Sequence, residues 1–337
     1  MSTLHAPFAP GSVSLRLYPH QLDQPTAVLD ELQHQAALAV GSGFDGVMLS
    51  ERHGGAWGQI PNPLQAAGWL LGSMPTGWVA PCPLLLPLRR TAIAAEEIAW
   101  LDARFAGRVG VGFASGGNEA DFRIVGVPFD ERNARFDRAL RDIVAMLRGS
   151  DGPDALTADA AVSADAPTTD PAIARARRVG IPVVSAAMSM NAARRAADLG
   201  IGIIGSSLLG EQRTRELADR FHASGGTGPH IVIVRVWLGS PPWELVERQL
   251  GEYRHASGGT LSTATGEGLI HGDDAADIAS RVAQRLRSTS GDALNVRVHI
   301  AGLAPAVARE QIEALGVEVL PRLRAEWHPM SDARWKS

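Results

Sequence analysis

Short apolar runs alternate with amphipathic stretches along most of the chain. Residues 13–17 (VSLRL) read as a strand, and the helical spacing of apolar positions over 26–40 predicts a helix ending at Gly41. The pairing recurs as strand 46–49 with helix 62–71, strand 78–86 with helix 91–104, and strand 108–113 with helix 130–147 after a long loop. Strands at 181–186 and 201–204 flank a helix over 191–199. The run 231–238, IVIVRVWL, precedes a helix over 243–253, and Pro241 and Pro242 stand just ahead of it, where a missing N–H is tolerated. Two tail helices follow, 274–287 and 305–324. The first has Asp273 or Asp274 as its cap and Ile278, Val282 and Leu286 on one face.

These strand runs lack strict alternation, as expected of parallel strands buried on both faces. Strand–helix alternation implies right-handed crossovers and a parallel sheet. Seven strands, with a weaker eighth between Asp154 and Val162, fit a closed barrel better than a doubly wound sheet. The expected fold is α/β, a single (β/α)8 TIM barrel over residues 1–337. Loop insertions are expected at 149–169, rich in Asp, Ala, Pro and Ser, and at 257–272, rich in Gly, Thr and Ser. Each is either a lid or a solvated connector.

Composition narrows the function classes. A chain of 337 residues buries a large core, roughly 75% of its unfolded surface. Lys plus Arg total 32 against 36 Asp plus Glu, and a net charge of −4 favours neither nucleic acid nor an acidic membrane surface. Cys82 is the only cysteine, which excludes an intrachain disulfide and a cysteine-rich zinc site, and no metal is expected. Residues 1–17 lack the basic-then-apolar order of a signal peptide, and Gly and Pro interrupt the longest apolar stretch, 69–88. The reading is a soluble, cytoplasmic protein.

Gly110, Gly112, Gly116 and Gly117 suggest a dinucleotide fingerprint, but that motif needs a helix opening at the glycines, and here the helix starts near Asp130. Neither a G-x-S-x-G elbow nor an H-E-x-x-H pair is present. Among ten scattered histidines, His53 stands out, because Glu51, Arg52 and His53 directly follow strand 46–49. The C-terminal ends of barrel strands face the active-site mouth. The trio is thus either catalytic or a salt-bridged rim. Ala187, Met188, Ser189, Met190 and Asn191 lie between a strand and a helix N-terminus, where free N–H groups favour an anion. A simple N-cap by Ser189 explains the same residues equally well.

Taken together, these segments resemble the bacterial luciferase-like flavin monooxygenase family. Gly43-Phe44-Asp45-Gly46-Val47 followed by Glu51-Arg52-His53 is similar to that family's second-strand segment ending in Glu-His-His. Asn62-Pro63 with Ala66, Ala67 and Gly72 resembles its next helix, and Glu96-Glu97 through Leu101-Asp102 and Gly107-Arg108 resembles its approach to the fourth strand. Gly116, Asp121-Phe122-Arg123 and Gly126 resemble the following stretch, and Leu315-Gly316 with Glu318-Val319-Leu320-Pro321 resembles the family terminus. The likeness spans 43–321 and is weakest over 149–180.

The resemblance implies a (β/α)8 barrel, often homodimeric, that binds FMN or the 8-hydroxy-5-deazaflavin coenzyme. It implies an isoalloxazine in the mouth and a phosphate near Ala187, Met188, Ser189 and Asn191, which agrees with the anion site read from the residues. The family's non-prolyl cis peptide under the flavin aligns with Cys82-Pro83, so that bond is expected to be cis. Two positions depart from the pattern. Arg52 replaces the first histidine and stays protonated, so it suits an anionic flavin or a substrate carboxylate and leaves His53 as the proton carrier. Ser115 replaces a phosphate-binding arginine, a loss of ~1.5–3 kcal/mol, about one to two decades in affinity. The implied function is a monooxygenase in which reduced FMN from a separate flavin reductase and dioxygen oxidise a small organic substrate, with His53, Arg52 and Glu51 catalytic. Deazaflavin-dependent hydride transfer is the first alternative, and a non-catalytic flavin-binding barrel the second.

Overall fold

Successive residues along the strands divide between two apolar clusters. Leu15, Val47, Leu49, Val79, Val183, Ile203, Val232 and Val234 pack with helix residues such as Ala36, Ile98 and Ile278. Met48, Ala80, Val184, Ile204 and Ile231 form a separate cluster. Side chains alternate across a strand, so two apolar faces mean a sheet closed on itself beneath a layer of helices.

The computed structural model describes residues 4–54, 58–148, 170–256 and 268–329. Among these, ten strands form one sheet: β1 (Val13–Arg16), β2 (Gly46–Leu49), β3 (Trp78–Pro81), β4 (Leu84–Leu85), β5 (Val111–Ala114), β6 (Val183–Ala186), β7 (Gly202–Ile204), β8 (His230–Leu238), β9 (Leu269–Gly272) and β10 (Ala293–Arg297). Their order is β3-β2-β1-β10-β8-β7-β6-β5-β4, with β9 added to β8. The paired strands run parallel, for example Leu15 opposite Val47 and Val111 opposite Val183. β3 and β4 are halves of one barrel strand, separated by Cys82-Pro83, so the path begins and ends on the same strand and closes. A bridge between Val79 and Val109 stitches the seam.

Most helices fall where the pattern predicts. Asn62 caps Pro63–Ser73, Thr91–Arg104 is as read, and Asp274 caps Ala275–Ser288. Four differences have physical causes. The eighth barrel place is filled by β10, whereas the weak strand at 154–162 lies outside the described residues. β9 occupies the end of the segment read as a loop over 257–272, of which 257–267 also lie outside them. The stretch after β5 holds the helix Glu119–Val125, capped by Asn118 and ended by Gly126 at φ 72°. The last predicted helix is split: Pro305–Ala314 and Leu320–Glu326 are joined by a wide turn, Leu315–Val319. Pro321 supplies no N–H there, and Gly316 lies so close to Ser42 that a Cβ would stand 2.5 Å from its carbonyl oxygen.

The barrel's interior changes character along its axis. At the N-terminal end, Phe8 from the leading segment packs edge-on against Trp78, ring centroids 5.6 Å apart, and shuts that end. Towards the C-terminal end the inward series on β1, β8 and β10 turns polar: Ser14 and Arg16, then Arg235, then Asn295 and Arg297, all buried. The mouth is therefore charged where the floor is apolar.

Candidate active site

Glu51 leaves the C-terminal end of β2 with 3% exposure, and its carboxylate is fully engaged. Arg89 meets it through Nη2–Oε1 at 3.0 Å and Nε–Oε2 at 3.1 Å, a bidentate fork. Leu85 N–H donates to Oε2 at 2.7 Å, and His53 Nε2 lies 3.0 Å from Oε1. A carboxylate oxygen only accepts, so Nε2 carries the hydrogen and Nδ1 of the neutral ring carries the lone pair. Asp121, buried in the first turn of Glu119–Val125, accepts from His53 N–H at 3.0 Å and has Arg52 Nε 3.5 Å from its Oδ2. The stretch Asp121-Phe122-Arg123 thus ends on the His53 backbone, with Phe122 buried beneath it against Phe129. Glu51 orients, His53 can exchange a proton, and Arg52 sits half-exposed at the rim.

Across the next strand the Cys82–Pro83 peptide is cis. Arg16 reaches from β1 to hold this bend: Nη1 donates to the Cys82 carbonyl at 2.9 Å and to Ser50 Oγ at 2.5 Å, and Nε donates to Asn295 Oδ1 at 2.7 Å. The Cys82 thiol points at β5, where a Cβ on Gly112 would stand 2.1 Å from Sγ, so only glycine fits. Burial pushes the thiol up to about 11, against the pull of Arg16, so it is a packed S–H and no nucleophile. Ser115 follows β5 and is partly buried.

At the end of β6, Ala187 is buried and ties back to β7 through N–H to the Ile204 carbonyl at 2.9 Å. Met188, Ser189 and Asn191 are exposed. Ser189 caps Met190–Asp198, its Oγ accepting from Ala192 N–H at 3.2 Å, and its own hydrogen remains to donate. The cap and an open set of N–H groups coexist.

The sequence reading missed the opposite wall. Arg235 on β8 and Arg297 on β10 are register partners, 3% and 5% exposed. Arg297 donates to Tyr253 Oη at 2.6 Å, and its guanidinium carbon lies 4.9 Å from the centroid of the Tyr18 ring. A signal was present: Arg235 is the one charge in the run 231–238. Beside this wall, burial drives His299 down to about 3, aided by His20 and Arg297. Its Nε2 donates to Gln35 Oε1 at 2.6 Å. Among the described residues no group of three or more His, Cys, Asp or Glu side chains could hold a metal, and no helix is long and apolar enough to cross a membrane.

A family model described as luciferase-like monooxygenase matches residues 11–243, the barrel from β1 to beyond β8. The chain belongs to the luciferase-like monooxygenase family. An alkanal monooxygenase alpha chain from a Kryptophanaron alfredi symbiont is 26% identical over 216 residues, 63% of this chain and 58% of that one. The alpha chain from Photorhabdus laumondii is 32% identical over 125 residues, 37% and 34% of the two chains. The aligned part thus spans under two thirds of these relatives. Among solved structures, the FMN-bound oxygenating constituent of 3,6-diketocamphane monooxygenase from Pseudomonas putida superposes with a TM-score of 0.71 at 18% identity, over 94% of this chain and 99% of that one. An F420-dependent secondary alcohol dehydrogenase gives 0.70 at 16%, over 93% and 98%. These luciferase-like neighbours share the fold.

Proposed function

We propose that this chain is a flavin-dependent monooxygenase, taking reduced FMN from a separate reductase and oxygenating a small organic substrate with dioxygen. The observation that carries the reading is convergence on one rim. The Glu51–His53 corner, the Cys82–Pro83 bend and the exposed helix start at Met188–Asn191 all lie at C-terminal ends of parallel strands in a luciferase-like barrel.

The residues present fit such a cofactor. The open N–H groups and the Ser189 hydroxyl suit a phosphate, Ser115 is small enough to leave room beside it, and the bend offers a firm wall for the ring. When bound, FMN supplies the redox chemistry with dioxygen. Glu51 keeps the His53 ring in one tautomer, Arg89 keeps Glu51 in place, and His53 Nδ1 takes or returns the proton. Arg52 fixes positive charge at the rim and is steadied by Asp121.

Ser115, neutral where a phosphate-binding cation is expected, favours a second reading in which the cofactor is a deazaflavin and hydride is transferred. Titrating the protein with oxidised FMN, reduced FMN and deazaflavin coenzyme separates the two. Tight binding of reduced FMN, with oxygen uptake on adding substrate, is the expected result. Preference for deazaflavin without oxygen uptake favours hydride transfer, and no binding below about millimolar removes both. His53→Ala should lower turnover by ~10²–10⁴-fold, with rescue by imidazole. Two copies are expected to pair over the apolar groove between the helices Pro25–Gly41 and Pro63–Ser73, where Trp69 stays 43% exposed. Light scattering tests that pairing.

A further inference from the structure

Arg235 makes no ion pair among the described residues, and its Nη2 is buried without a hydrogen-bond partner. Gln249 is 1% exposed, and its Nε2 is likewise unpartnered, although its Oε1 accepts from Arg297 Nη2 at 3.4 Å. Both orphans are donors. Tyr253 Oη and Ser207 Oγ already accept from Arg297, so each hydroxyl is left with its hydrogen to give. Both tyrosines of the chain meet here, since the Arg297 guanidinium lies over Tyr18 and Tyr253.

Arg235, a guanidinium out of water beside that of Arg297 and among donors, has no carboxylate paired with it among the described residues. Burial, then Arg297, lower Arg235 to about 10, so it remains a cation at neutral pH. β8 stands four places from the strand formed by β3 and β4, counted either way round the barrel, so the cluster faces the Cys82–Pro83 bend across the mouth. Below it the interior is apolar, with Ile233, Ala186 and Ile204.

We propose that Arg235 and Gln249, beside Arg297, form a substrate subsite for an oxyanion head, a carboxylate or sulfonate on an otherwise apolar small molecule. That the occupant is a substrate rests on the flavoenzyme reading; the preference for an anion does not.

Calorimetric titration of the flavin-free full chain with hexanoate, hexane-1-sulfonate, hexanamide and FMN tests it. The two anions should bind at least about tenfold more tightly than the amide, and Arg235→Met should weaken them by about ten- to a hundredfold while leaving hexanamide and FMN unchanged. Gln249→Leu should weaken them less. Equal binding of amide and anions by the natural protein, or no anion binding, overturns the proposal. So does an Arg235→Met that weakens FMN and spares the anions, since the cluster would then hold the cofactor's phosphate. If Arg235→Met does not fold, the anion–amide comparison together with Gln249→Leu decides. Anion binding lost in Arg235→Met, in a protein that binds no flavin, sustains the subsite and removes the flavoenzyme reading instead.

Discussion

The two walls of the barrel mouth each hold an arginine, and they treat it in opposite ways. On the side of β2, Arg89 is locked to Glu51 by a two-point fork, and the carboxylate also takes Leu85 N–H and His53. On the side of β8, Arg235 is buried more deeply than Arg89, with no carboxylate beside it among the described residues. A neutralised arginine is architecture, because the pair satisfies itself and fixes what it touches. A buried arginine with an orphaned donor lowers stability and is kept for what it binds. The difference separates the part of the mouth that holds geometry from the part that selects a ligand.

The asymmetry can be broken by mutation. Glu51→Ala strands Arg89 and the Leu85 N–H, so a loss of ~3–5 kcal/mol is expected in chemical denaturation, partly recovered in Glu51→Gln. Arg235→Met should move the same curve the other way, by about 1–2 kcal/mol, since it removes a desolvated charge and leaves a side chain of similar reach. If both variants lose stability alike, the two walls are not different in kind.

Acid titration sharpens the contrast further. His299 beside the cationic wall is lowered to about 3, and His230 at the barrel's closed end to about 4, both chiefly by burial. Each is neutral when folded and takes up a proton more readily when unfolded. Stability is therefore full above about pH 6.5 and falls as the pH drops towards 4, at up to about 1.4 kcal/mol per pH unit for each histidine. His299→Asn should remove one histidine's share of that slope, read from denaturation midpoints between pH 6.5 and 4.5. The smallest effect is expected for Asn118→Ala, which deletes the cap on Ala120 N–H and costs about 1 kcal/mol. Its use is to show how firmly the helix carrying Asp121 holds the His53 backbone.

Much of this was legible along the chain, and the residues that escaped share a cause. Parallel strands buried on both faces write themselves as apolar runs, so β2, β6 and β8 could be read directly. β10 could not, because Asn295, Arg297 and His299 alternate with Leu294, Val296 and Val298. Its inward face belongs to the polar half of the interior, and an apolar-run criterion passes over it. Glu51 and His53 could be singled out because they follow a readable strand. Their partners were not, since Arg89 and Asp121 lie 38 and 68 positions further on and only the closed barrel brings them near.

β8 outlasts β7, and from Arg235 to Leu238 its neighbour on that side is β9. The chain leaves β8 at Gly239 and comes back alongside it as β9, whose last residue, Gly272, touches Gly239, the Gly239 N–H donating to the Gly272 carbonyl at 2.7 Å. The excursion between them carries Gln249 and Tyr253. A segment whose ends already meet can be shortened, lengthened or exchanged at little entropic cost to the rest of the chain. Half of the ligand-selecting wall is thus a graft on a closed stem, and relatives of this chain could acquire new preferences by swapping one piece of polypeptide while the barrel and its His53 corner stay as they are.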